Sequence, residues 1–205
     1  MIKLIKNFFE DYLESLESDR YKAMIYKKNG INQERFYTYE EIGILEGVSK
    51  QRIHQIESKI FRNMNLLING STIKNKNYKC DEQLICKTKE FLNDLKDKKT
   101  ISYIELINKF RISASDKSYF DMYLKILEIK RITLEKENID IILSSEINKS
   151  ILEDEINRTL KIVKNNILPI SKDDIIIQSA KRRRKKSKEY ILLSIEVVPF
   201  KKLVE

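Results

Sequence analysis

Apolar side chains recur at helical spacing from the start of the chain: Ile2, Leu4, Ile5, Phe8, Phe9, Tyr12, Leu13 and Leu16. The spacing predicts one core-facing helix over residues 2–16. Glu10, Asp11 and Glu14 interrupt the run, which excludes a signal peptide. A second helix is expected over Ser18–Lys28, opened by Ser18 or Asp19 and stopped by Asn29-Gly30. The polar loop INQERFY leads to Thr38. Glu41 follows three residues later, the spacing of a capping box, so a helix should start at Thr38. Segment 69–82, NGSTIKNKNYKCDE, is polar and turn-rich and reads as a linker.

Beyond it, helical patterns cover Leu84–Leu95, Tyr103–Phe110 and Asp116–Lys130. ITLEKENIDIILSS then alternates apolar and polar on both sides of Glu137-Asn138, which predicts a small hairpin. Three helices followed by a hairpin is the order of a winged helix. A helix is expected over 150–164. Pro169 breaks the chain, and Ser171 or Asp173 caps another helix to Ala180. After KRRRKKSK, EYILLSIEVV gives a last helix.

Composition narrows the picture. With 205 residues, 41% of them apolar, the chain can bury a core. Only four glycines and two prolines argue against phosphate loops and sandwich turns, and for a mainly helical protein. The net charge of +9 favours a polyanionic partner, nucleic acid or an anionic membrane. No apolar stretch approaches the roughly 20 residues of a membrane span. Cys80, Cys86 and His54 are too few for a structural zinc site or a disulfide framework, so neither metal nor cofactor is expected. The two cysteines read as reduced thiols packed against helices, in a cytoplasmic protein.

The stretch YEEIGILEGVSKQRIHQIESKIFRNM, Tyr39–Met64, carries the most specific pattern. A helix-turn-helix needs a small residue where its helices cross, a residue tolerant of left-handed backbone in the turn, and apolar residues that lock the helices together. Gly43 suits the first need and Gly47 the second. Ile42, Val48, Ile53 and Ile56 suit the third. Ser49 should cap the second helix, which runs to about Met64. With Ile53, Ile56 and Ile60 inward, Lys50, Gln51, His54 and Gln55 point outward near its start, and Lys59 and Arg62 extend the polar face. Arg52 lies to the side, suited to a phosphate. Over 48–64 these bases stand against Glu57 alone. Lys and Gln near the N-terminus of such a helix can supply hydrogen bonds to base edges. A plain helical hairpin with a solvated face meets the same spacing.

These residues also resemble the C-terminal DNA-reading domain, region four, of primary bacterial sigma factors. TYEEIG followed by VSKQRIHQIESKIFR stands in register with that family's segment, and LESLESDRYKAMIYKKNGIN resembles the helix and glycine turn before it. The likeness covers about Leu13–Met64. It implies insertion of this helix into the major groove. Base contacts would fall to Lys50, Gln51, His54 and Gln55, beside Ser49, with Arg52 and Lys59 nearer the backbone. The family usually has Arg, Glu and Arg where Lys50, Gln51 and His54 stand, so the fold is expected to persist while the preferred sequence shifts. The earlier sigma domains that grip polymerase and melt the promoter have no counterpart in the few residues upstream of the likeness.

The expected fold class is mainly α: a helix-turn-helix domain over 1–68, a winged-helix-like domain over 83–145, and a second small helical or winged-helix-like domain over 150–205, with small β-hairpins. Each has about 60 residues, marginal alone, so the modules pack together or the chain forms a homodimer. In the second module Asp116, Asp121 and Glu128 would repel phosphates while Lys117, Ser118 and Lys125 could touch them, leaving DNA contact and protein contact both open. Tyr119, Phe120 and Tyr123 read as core. The run Lys181, Arg182, Arg183, Arg184, Lys185 and Lys186 suits the DNA backbone rather than base edges. No catalytic constellation is recognisable, and an enzyme is not expected. Sequence-specific binding of double-stranded DNA in transcription regulation is the expected function. Two rivals stay open: an adaptor that binds the RNA polymerase core, and a DNA-binding subunit of a mobile-element, replication or defence assembly.

Overall fold

The computed structural model describes residues 1–16, 18–73, 78–165, 170–180, 188–198 and 203–204. Most expected helices form close to their predicted spans: α1 (Ile2–Glu14), α2 (Asp19–Asn29), α3 (Tyr39–Glu46), α4 (Lys50–Ile68), α5 (Glu82–Lys98), α6 (Tyr103–Lys109), α7 (Lys117–Ile126), α8 (Lys149–Asn165), α9 (Lys172–Ala180) and α10 (Lys188–Val197). The helix expected to reach Lys130 stops at Ile126, because Glu128 turns into left-handed backbone at φ 56° and Lys130 already opens a strand. The chain is thus mainly helical, with a small antiparallel sheet of β1 (Thr100–Ser102), β2 (Lys130–Leu134) and β3 (Ile139–Leu143). Two short strands, β4 (Ile170–Ser171) and β5 (Leu203–Val204), pair in parallel. The residues form two compact units: Met1–Asn93 with Ile107–Glu128, and Asp94–Leu106 with Ile129–Glu205. The divisions fall within α5, within α6, and between α7 and β2.

In the first unit α1 presents Ile5, Phe8, Phe9, Tyr12 and Leu13 to the core, the face its periodicity predicts. Each such burial contributes about 1.5–3 kcal/mol. Tyr119, Phe120 and Tyr123 of α7 are buried, and the Tyr119 hydroxyl donates to Glu10 at 2.8 Å. Lys6 pairs with Asp116 at 2.8 Å. Within the segment expected to be a linker, Tyr78 and Cys80 are anchored in the core. The Tyr78 ring packs edge-on to Tyr12, its hydroxyl donates to the Phe8 carbonyl at 3.2 Å, and Cys80 is buried. Polar neighbours mask these anchors in the sequence. Cys86 also departs from expectation. It is exposed on α5, beside Glu90, rather than packed.

In the second unit the hairpin turns where its sequence predicts, with Asn138 in left-handed backbone at φ 53°, a conformation Asn tolerates better than most residues. β1 is an addition that the sequence pattern does not reveal, and it pairs with β3 through Thr100–Leu143 and Ser102–Ile141. Three residues are too short for alternation to register. Ile132, Ile139, Ile141 and Leu143 of the hairpin share one core with Leu152 and Ile156 of α8 and Leu193 of α10. That core crosses the expected boundary between 83–145 and 150–205.

Candidate functional site

Local chemistry fixes α3 and α4. At the start of α3 the Thr38 hydroxyl accepts from the Glu41 amide at 3.2 Å, and the Glu41 carboxylate accepts from the Thr38 amide at 2.7 Å, a complete capping box. Arg35 adds a pair to Glu41 at 2.7 Å. The Thr38 amide, and after it Arg35, hold the Glu41 carboxyl down to about 2. At the end of α3, Gly47 takes left-handed backbone at φ 63°, and the Val48 amide reaches back to the Gly43 carbonyl at 2.9 Å. A Cβ on Gly43 would lie 2.7 Å from the Val48 carbonyl oxygen, so the chain can pass here only because residue 43 has no side chain. Ser49 then caps α4, its hydroxyl accepting from the Arg52 amide at 3.2 Å.

Ile42, Ile53, Ile56 and Ile60 are buried as expected, while Val48 is half-buried. Lys50, Gln51, Arg52, His54, Gln55, Lys59 and Arg62 are all exposed. Lys50, Gln51, His54 and Gln55 line one shallow cleft, together with Tyr39 and Glu40 of α3. Arg52, Lys59 and Arg62 occupy the same helix outside that lining. α4 continues past Met64 to Ile68. Lys181, Arg182, Arg183, Arg184, Lys185 and Lys186 lie outside the described residues.

One expectation is corrected. Glu57 is not a charge on this face but is buried, 8% exposed. It accepts from the Tyr39 hydroxyl at 2.5 Å and from the Asn29 amide at 3.2 Å. Lys125 of α7 donates to Asn29 at 3.0 Å, and burial of its ammonium lowers the lysine's pKa from the ordinary value. A buried carboxylate must be met by donors, and here they come from α2 and α3. The acid that does face outward is Glu40, paired with Lys50 at 2.9 Å.

Tyr39 and Glu40 are the residues sequence reasoning missed. Tyr39 links the inner network to the outer face: the His54 ring meets its ring edge-on at 5.5 Å, and the Lys28 ammonium stands 4.0 Å from its centroid. Burial, and then the bond to Glu57, raises the pKa of the Tyr39 hydroxyl above the ordinary value, so it remains a donor. Both residues occupy the first turn of α3, where a helical spacing argument assigns one to the core and the other to solvent. Only the crossing of α3 and α4 reveals their neighbours.

Among the described residues no group of His, Cys, Asp and Glu side chains is placed to hold a metal ion, and no helix is long and apolar enough to cross a membrane. The arrangement offers donors and acceptors on an exposed helix face. No protein-family model, curated protein or solved structure matches the chain.

Proposed function

We propose that the protein binds double-stranded DNA with sequence specificity, as a regulator of transcription, and that α3 and α4 act as a helix-turn-helix of the kind found in sigma region four. The observation that carries this reading is the exposed quartet Lys50, Gln51, His54 and Gln55, side by side on the first turns of a capped helix. Helices of this kind read the major groove with their N-terminal residues. Gln51 and Gln55 offer the amide geometry that suits adenine, and Lys50 suits guanine acceptors. Arg52, Lys59 and Arg62 supply phosphate anchors on the flanks, and the basic run 181–186 adds sequence-independent attraction. The helix order before the β2–β3 hairpin supports a winged-helix role for the middle of the chain.

Selection of bound sites from a random duplex library at ~150 mM salt tests this, because non-specific phosphate binding is then suppressed. A defined motif is expected. Gln51→Ala or His54→Ala should cost about 1–3 kcal/mol on that site and alter the preference. Recovery of no motif, from a protein that still binds DNA at low salt, would overturn sequence reading.

One observation favours a second reading. Ile44 and Leu45 of α3 are 82% and 59% exposed, an apolar pair suited to a protein partner. An adaptor to the RNA polymerase core would use such a pair, and charge swaps at Lys50 and His54 would leave its polymerase binding intact.

A further inference from the structure

The α4 face is basic, yet it carries one outward carboxylate that α4 itself does not supply. Glu40 sits in the first turn of α3, where the positive end of the helix favours an acid. Its Oε1 is 2.9 Å from the Lys50 ammonium, and it lines the same cleft as Gln51, His54 and Gln55. Both members of the pair are more than half exposed, 56% for Lys50 and 59% for Glu40. Pairs this exposed add little to stability, because water and salt screen them. This pair is therefore too weak to be a structural fastening, but it is placed to compete with any anion that approaches Lys50. The bond from Lys50, and then Glu40's own backbone amide, holds the Glu40 carboxyl below the ordinary carboxylate range, so the charge persists near neutrality.

We infer that Glu40 is a selectivity residue of the α4 face: it occupies Lys50 in the unbound protein and disfavours indiscriminate phosphate contact. This rests on the DNA-binding reading. A phosphate offers only acceptors, so it must compete with the carboxylate for Lys50 and then lie near its charge. A base edge differs. The exocyclic amine of cytosine or adenine is a donor that a carboxylate accepts. Glu40 thus weakens the wrong contact more than the right one, and selectivity arises from a repulsive element as well as an attractive one.

The test is a salt titration of the full chain on a random-sequence duplex, read by fluorescence anisotropy, for wild type, Glu40→Gln, Lys50→Ala and the double variant. Glu40→Gln should bind about two- to fivefold tighter at low salt. Its plot of log K against log salt should steepen by about 0.9, one extra phosphate contact. Neither change should survive in the Lys50→Ala background. An unchanged slope and affinity for Glu40→Gln, or the same gain without Lys50, would overturn the role of Glu40 while leaving DNA binding in place. Wild type that binds no duplex even at the lowest salt would overturn the DNA-binding reading, and this inference with it.

Discussion

α3 and α4 cross where Gly43 leaves no room for a Cβ, whereas α8 and α10 meet through the bulk of Leu152, Ile156 and Leu193. The first contact depends on an absent side chain, a left-handed turn and two capped helix starts. The second depends on volume, with one buried hydroxyl pair, Thr159 and Ser194 at 2.8 Å, satisfied inside it. The two contacts should therefore fail in opposite ways. The α8–α10 pair is sensitive to atoms removed and the α3–α4 pair to atoms added. If the α4 face reads DNA as proposed, holding Lys50, Gln51 and His54 in fixed relation to Tyr39 and Glu40 calls for the stricter kind of contact.

The largest effect is expected from removing volume. Leu152 is fully buried, so Leu152→Ala should cost about 2–5 kcal/mol in urea unfolding. Gly43→Ala should follow at about 1–3 kcal/mol, because its new methyl meets backbone rather than a flexible side chain. The pair sharpens when DNA binding is measured well below both melting temperatures. Gly43→Ala should lose affinity for the selected site and Leu152→Ala should keep it. Equal binding by the two variants would mean that the α3–α4 geometry does not set the face.

Tyr39→Phe probes the network beneath that face. It removes the hydroxyl that donates to buried Glu57 but leaves the Asn29 amide, so the loss should be about 1 kcal/mol. The ring stays beside His54 and Lys28, so a fall in site affinity larger than the fall in stability would show that Glu57 aims Tyr39 at the outer face.

The same contrast explains what was legible in the sequence. The α3–α4 region was readable because each of its requirements admits few residue types. Thr38 with Glu41 can only be a cap, Gly47 marks the turn, and Ile53, Ile56 and Ile60 name the inner face. The partners that reach the site from other helices were not readable. Glu57 looked like a surface charge because its spacing says nothing of Tyr39 and Asn29. In the second unit the helices were legible by periodicity, but their pairing was not, since Ile and Leu on one apolar face look alike to every other. β1 was hidden by its length, and Tyr78 by the polar residues around it.

The smallest predicted effect lies in the capping box, where acid should separate the two helix pairs. Glu41 has a folded-state carboxyl at about 2, below its ordinary value of 4.5, because the charged form is held by the Thr38 amide and by Arg35. The charged form is thus favoured by folding. Its contribution is complete above pH 4.5 and is lost as the pH falls through about 2. Glu41→Gln cannot titrate. The difference in melting temperature between wild type and Glu41→Gln should be constant near neutrality and should close between pH 4.5 and 2. Other carboxylates, Glu46 and Asp116 among them, also sit below their ordinary range, but they are common to both proteins and cancel. Leu152→Ala supplies the matching control from the other pair. It removes no titrating group, so its difference from wild type should stay level over the same range. A Glu41→Gln gap that persists unchanged to pH 2 would mean that the carboxylate does not hold the start of α3, and that the α3–α4 face is set by the Gly43 crossing alone.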